Sequence, residues 1–454
     1  MNASGNANAG PAARPRTNWA GNVAFGAADL YRPATLGQLQ AVVARTRRLR
    51  VLAAGHSFND LADSPGAQVS LAGLPPEIEV DSAARLARIS AGLSYAELAG
   101  RLDRGGFALR NLASLLDISV AGACATATHG SGAALPNLAA AVAGLTLVTA
   151  EGDVAEIGRQ HDWFDGAVVH LGALGVVAGL VLELVPAFDV AQRVYEDLPL
   201  EVLGDHLTDL MARAYSVSLF TDWRASRLTQ LWLKQRLADP LYPFPPQRRA
   251  DPASSPRSAP TAPSAPSITQ ESWFTATSAP GPRHPVPGLP AGACTQQLGV
   301  PGRWYDRLPH FRAESRPSAG DELQSEYLLP VGYAIPALDA LNRIRDRLAP
   351  VLRICEIRVI AADQLWLSPC YRQHSVAFHF TWIADAASVL PVITLTERQL
   401  APFAARPHWG KIFTTSPEAL RSSYPRLPDF LNLMRRLDPS GKFRNSYTDR
   451  YLAS

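Results

Sequence analysis

Apolar positions along the chain switch repeatedly between a helical and a strand-like period. In the first part the runs are short and mixed. "QLQAVVARTRRLR" (38–50) reads as a helix and runs into "RVLAAG" (50–55), a small apolar strand. "ARLARISAG" (84–92) reads as a second strand. "SYAELAGRLDRGG" (94–106) reads as a helix that Ser94 caps and two glycines end. "VAGLTLVTAEGDVAEIG" (142–158) has the pattern of a hairpin turning at Glu151-Gly152, and "GVVAGLVLELVPAF" (175–188) that of another strand. Beyond it the strands lengthen: "SVSLFTDWR", "LTQLWLKQR", "LQSEYLLP", "LRICEIRVIAA" and "VAFHFTWIA", with helical stretches such as "PALDALNRIRDRLAPVL" between some of them. The pattern predicts an α+β protein of two domains, 17–187 and 188–425, the second holding a large antiparallel sheet. Residues 426–454 read as a closing segment, with "DPSGKFRN" as a turn.

Two stretches break the pattern. Residues 1–16, rich in Ala, Gly, Asn and Pro, are expected to be disordered. Residues 239–287 hold 13 prolines among 49 residues and are expected to form a mobile insertion in the second domain.

Composition narrows the class. A 454-residue chain that is 47% hydrophobic can bury a large core. A net charge of +3 without a basic block gives no footprint for nucleic acid or an anionic membrane. Cys124, Cys294, Cys355 and Cys370 lack metal-ligand or redox-motif spacing. There is no Sec-type leader pattern and no span of about 20 apolar residues. The expectation is a soluble cytoplasmic protein, acting as a monomer, without metal, nucleic-acid or membrane partner.

Candidate chemistry sits in five places. "AAGHSF" (53–58) and "THGSG" (128–132) put small residues where backbone amides can face phosphate oxygens, or they are ordinary tight turns. Neither GxGxxG after a first strand nor a P-loop is present. Glu356 and Arg358, two apart on a strand, share a face, as a structural ion pair or as a grip on vicinal hydroxyls. His379 and Thr381 share the face opposite Phe378, Phe380 and Trp382, lining a cavity or the core. Lys411 follows Trp409-Gly410 in an apolar run, as a desolvated base or a surface lysine with a buried stem. Ser114 and Ser119 bind a ligand or cap a helix. No GxSxG elbow supports hydrolase chemistry.

Together, "NWAGN", "GHSFND", "SLLDISVAGACATATHGSG", "LGALGVV", "LQSEYL", "CEIR", "HFTW" and "RPHWGK", in this order from Asn18 nearly to the C-terminus, resemble the alditol oxidases. These are also described as xylitol or sorbitol oxidases, within the vanillyl-alcohol-oxidase flavoprotein superfamily. The resemblance implies a PCMH-type FAD-binding domain followed by a substrate (cap) domain. It implies FAD bonded covalently through its 8α-methyl carbon to His56. Ala54, Gly55, Ser57, Phe58, Ser114, Ser119, Gly122, His129, Gly130, Val176 and His408 would contact the cofactor. Ser114, Gln324, Glu356, Arg358, Thr381 and Lys411 would bind the polyol. The implied reaction oxidises the C1 hydroxyl of an alditol by hydride transfer to flavin N5, with O2 reduced to H2O2. Glu356 and Arg358 would hold hydroxyls at the reacting end, and Lys411, His379 or water would take the proton. The same superfamily also contains aldonolactone oxidases and dehydrogenases, the alternative within enzymes. A flavin- or polyol-binding protein without turnover is the alternative outside them.

Overall fold

The computed structural model describes residues 16–237, 272–273, 275–313 and 321–452. The first domain holds a three-stranded parallel sheet in which Ala67–Val69 lies between Asp29–Tyr31 and Leu49–Val51. Beside it is a five-stranded antiparallel sheet in the order Ile78–Asp81, Leu86–Ser90, Val176–Glu183, Val142–Val148, Val154–Gly158. The last two strands are the expected hairpin. Helix Leu36–Arg45 buries Leu39, Val42 and Val43. Helix Tyr95–Arg104 begins with a capping box in which Ser94 and Glu97 satisfy each other's backbone amides.

The second domain is organised around a ten-stranded sheet. Its order is Ser272–Trp273, Ala276–Ser278, Asp189–Pro199, Arg227–Arg236, Ser216–Thr221, Leu352–Ile360, Ser375–Ile383, Glu322–Pro330, Arg406–Pro407, with Gly302–Arg303 paired to Asp189–Val190. Every pairing is antiparallel. Helices Leu203–Ala212, Ala334–Arg343 and Ala386–Leu400 bury their apolar faces in one core with Ile357, Phe378, Phe380 and Trp382. Period-two alternation then forces Glu356, Arg358, His379 and Thr381 onto the opposite face, as their spacing predicts.

Two boundaries differ from the sequence expectation. Trp409, Leu420 and Tyr424 belong to the first domain's core, so the chain has left the second domain well before residue 425. The closing segment returns to that first core through helices Leu427–Leu437 and Ser446–Leu452. Buried Lys442 donates to the Val43 and Ala150 carbonyls, and Asn445 Nδ2 to those of Asp60, Leu61 and Asp63.

The expected mobile insertion is also shorter than 239–287. Ser278 and Thr277 pair with Tyr195 and Glu196, and the Ala279 amide donates to Val194 O at 2.9 Å. Gln297 then receives the Arg283 amide at 2.8 Å and donates to the Arg283 carbonyl at 2.7 Å. Prolines 280, 282, 285 and 287 lie beyond the end of strand Ala276–Ser278, so their missing N–H groups break no ladder. The rest of the predicted insertion up to Glu271, and the predicted disorder of residues 1–15, lie outside the described residues.

Candidate active site

The loop that carries His56 is held from both sides. Gly55 takes φ +70°, a conformation open to glycine and strained for other residues. From the N-terminal side, Trp19 N donates to Gly55 O at 2.8 Å, Asn18 Nδ2 to Ser57 O at 2.9 Å and Asn22 Nδ2 to Phe58 O at 2.9 Å. From the other side, Phe58 N donates to Gly410 O at 2.8 Å, and Asn59 Nδ2 to the carbonyls of Trp409 and Lys411 at 2.8 and 2.9 Å. Asn59, beside the histidine in sequence, thus joins the His56 loop to the Lys411 loop.

The Lys411 loop runs along strand Glu322–Pro330. His408 N donates to Glu326 O and Ile412 N to Gln324 O, both at 2.9 Å. Lys411 Nζ donates to Gln324 Oε1 and lies 5.2 Å from the centre of the Phe58 ring. Burial pushes its ammonium down to about 8, with Glu326 pulling the other way.

Sheet register assembles the remaining charges. Phe220 pairs with Glu356, Glu356 with His379 and His379 with Glu326, so these four side chains form one row across four adjacent strands. Gln324 and Thr381 pair in the next row, beside Ile354. Arg358 Nη2 donates to Glu326 Oε1 at 2.6 Å. Its buried Nε lies 3.6 Å from Glu356 Oε2 and has no hydrogen-bond partner. His379 Nδ1 and His129 Nε2 lie 3.2 and 3.1 Å from Glu326 carboxylate oxygens. Burial would raise both carboxyls, but Arg358 and the neighbouring imidazoles outweigh it. Arg358, His129 and His379 hold Glu326 well below the usual range, and Arg358 and His310 do the same for Glu356. His379 is lowered from its ordinary value, by burial first and then by Lys411. At neutral pH the site therefore holds two carboxylates, a guanidinium, a largely protonated lysine and a neutral His379.

All of these groups meet in one cavity of about 500 Å³. Its wall combines the 53–58 loop, Trp19, Ser94, Ser114, Ser119, Gly122, His129 and His170 with Gln324, Glu326, Glu356, Arg358, His379, Thr381, His408 and Lys411, and the two sets meet where His129 Nε2 lies 3.1 Å from Glu326. Of the residues expected to hold FAD, Ala54, Gly55, His56, Ser57, Phe58, Ser114, Ser119, Gly122, His129 and His408 line it. Gly130 and Val176 do not. A side chain at Gly130 would strike Leu112 O at 2.4 Å, so that glycine serves close packing, and Val176 lies in the first domain's core while its neighbour Val177 reaches the cavity. Every expected polyol residue lines the cavity. Ser119 caps helix Val120–Ala125 and also lines the cavity.

The sequence reading missed Glu326 and His310. Glu326 sits two residues from Gln324 on strand Glu322–Pro330, the same two-residue spacing that exposed Glu356 and Arg358. His310 follows "RLP" in a loop with no periodicity, and no local signal marks it.

The fit to FAD can be judged from the His56 end. There a run of small residues exposes backbone to the cavity, as close approach to a pyrophosphate needs. His56 presents a buried Nδ1 with no hydrogen-bond partner, and burial, with Lys411 adding, pushes its imidazole down to about 4. A neutral ring with an unsatisfied nitrogen, held 5.2 Å from the Trp19 ring at a 34° tilt, suits attachment of a flavin. The residues present fit the cofactor.

Comparison with known proteins agrees with this geometry. Residues 28–158 match the FAD binding domain family and residues 321–451 the D-arabinono-1,4-lactone oxidase family. An L-gulono-1,4-lactone dehydrogenase of Mycobacterium tuberculosis (strain ATCC 25618 / H37Rv) is 28% identical over 446 residues, 96% of this chain and 98% of that protein. The crystal structure of cholesterol oxidase from B. sterolicum superposes with a TM-score of 0.73 over 96% of each chain at 13% identity, which shows a common fold. An alditol oxidase of Streptomyces sp. (strain IKD472 / FERM P-14339) is 50% identical over 434 residues, 95% of this chain and 97% of that protein. On that match and the FAD-binding domain that precedes its charged sheet, the chain belongs to the alditol oxidase family of flavin-dependent oxidoreductases within the vanillyl-alcohol-oxidase superfamily.

Proposed function

We propose that the protein oxidises the terminal hydroxyl of an alditol such as xylitol or sorbitol to the aldose, consuming O2 and releasing H2O2, with FAD bonded covalently to His56. The observation that carries this reading is the Glu356–Arg358–Glu326–His379 cluster, which shares one cavity with Lys411 and His56. FAD, when bound, supplies the acceptor for the C1 hydrogen and the route of its electrons to O2.

The chain's own groups then divide the work. Glu356 Oε2 and the Arg358 guanidinium beside it put an acceptor and donors side by side, a match for adjacent hydroxyls. Gln324, Thr381 and Ser114 extend the polar lining. A flexible polyol held hydroxyl by hydroxyl loses its rotor freedom before reaction, and a shorter or deoxygenated analogue leaves buried groups unpaired. His379 is the proton acceptor. Glu326 holds its Nδ1–H, as the acid orients histidine in a hydrolytic triad, and leaves Nε2 free as a base. Lys411 at neutral pH is mostly ammonium. With Arg358 it stabilises the charge that develops on O1.

Acid precipitation of the purified protein tests the flavin bond. Flavin should stay with the precipitated chain and be released from His56→Ala. Peroxide formation on xylitol and sorbitol tests the reaction. Faster turnover of L-gulono-1,4-lactone would favour lactone oxidation, the activity named for the 321–451 family, and overturn the alditol reading.

A further inference from the structure

Beside Glu356, buried Lys234 and His310, the latter lining the cavity, remain without a role in the reaction above. Lys234 is 1% exposed and His310 5%. Lys234 comes from strand Arg227–Arg236, two strands from Glu356 in the sheet order. An ammonium has three donors and no acceptor. Here all three are used: Lys234 Nζ donates to Leu308 O, to Pro309 O at 3.1 Å and to His310 Nδ1 at 2.9 Å. Because Nδ1 accepts, the ring proton of neutral His310 sits on Nε2. That nitrogen is 2.7 Å from Glu356 Oε1.

The ring has little freedom to turn. It lies against Trp232 and Phe220, with centroids 5.1 and 5.7 Å away. Its own backbone amide donates to Ser114 O at 3.2 Å, and its carbonyl accepts from Thr295 N at 2.9 Å. Ser114 itself lines the cavity, so His310 also ties the first domain's wall to the sheet.

We propose that Lys234 and His310 are positioning residues for the polyol site: Lys234 fixes the Nε2–H tautomer of His310, and that N–H pins Glu356 Oε1 so that Oε2 faces the substrate as an acceptor. The proposal rests on the alditol reading only for what Oε2 accepts from. The side-chain lock itself is a property of the chain. Burial and the neighbouring Lys234 push His310 down to about 4, in keeping with a neutral ring. Burial brings Lys234 down to about 7, with Glu356 and Cys294 opposing and Arg358 adding to the fall.

The lock predicts a pattern across variants of the flavin-loaded enzyme. His310→Leu should lower kcat/KM for xylitol about tenfold or more, mainly through KM, with flavin content unchanged. His310→Gln, whose amide can accept from Lys234 and donate to Glu356, should recover most of that loss. Lys234→Met should cost severalfold alone and nothing further in the His310→Leu background. Additive losses, or a glutamine variant as poor as the leucine one, would overturn the proposal. Nitrogen-15 NMR of histidine-labelled wild-type holoenzyme, with the His310 signal identified by its absence in His310→Gln, provides a readout free of turnover. The Nε2–H tautomer is expected, and the Nδ1–H tautomer would refute the lock. If the wild type oxidises no alditol, the NMR result still decides the lock, and only the substrate reading has failed.

Discussion

At the His56 end the cavity is walled largely by backbone and small side chains, from Ala53 to Ser57 and around Ser119 and Gly122. At the Glu356 end it is walled by long polar and charged side chains on three adjacent strands. The first kind of wall takes its shape from loop conformation, and few of its contacts depend on a particular charge. The second depends on several charges neutralising one another out of water, where each removal leaves its partners exposed to the full cost of burial. The two ends should therefore fail differently.

The sharpest way to break this contrast is Glu326→Gln, which keeps shape and removes the charge shared by Arg358, His379 and His129. Turnover should fall on the order of a thousandfold, while flavin content stays at the wild-type level. Loss of flavin together with activity would show that the ends are not separable. Lys411→Met should have a smaller effect, about a hundredfold in kcat/KM. It should also change the pH profile. Lys411 has its pKa at about 8, so its charge is present below that pH and lost above it. The wild-type rate should therefore decline as pH rises through about 8, and the methionine variant should lack this alkaline limb. Gly55→Ala should do least. No atom lies within 3.7 Å of the added Cβ, so only the positive φ is strained, at about 1 kcal/mol. A urea titration should show that loss with turnover nearly unchanged, which would sharpen the claim that this end tolerates change.

The contrast also explains what could be read from sequence. Glycine-bearing loops such as 53–58 announce themselves locally, because the backbone needs those residues at that spot. Glu356 and Arg358 could be paired because two residues apart on a strand is still a local relation. Glu326 stands 32 residues from Arg358 and 53 from His379, and only the order of strands in the sheet brings them together. Lys234 and His310 are harder still, since their meeting joins a strand to an aperiodic loop 76 residues later. The Pro-rich stretch misled in the other direction. Composition alone argued for mobility up to residue 287, but Gln297 and strand Asp189–Pro199 capture its final residues.

The hydrogen bonds from Asn59 to the Trp409 and Lys411 carbonyls span 350 and 352 residues of sequence. On a ribosome adding about 5–20 residues per second, the His56 loop is finished many seconds before the segment that braces it exists. Nascent chains and C-terminal truncations thus lack one side of the clamp around the histidine. On the proposed reading of a His56-bound flavin, attachment becomes a late, post-synthetic event, and retained flavin marks a chain made at least as far as Lys411.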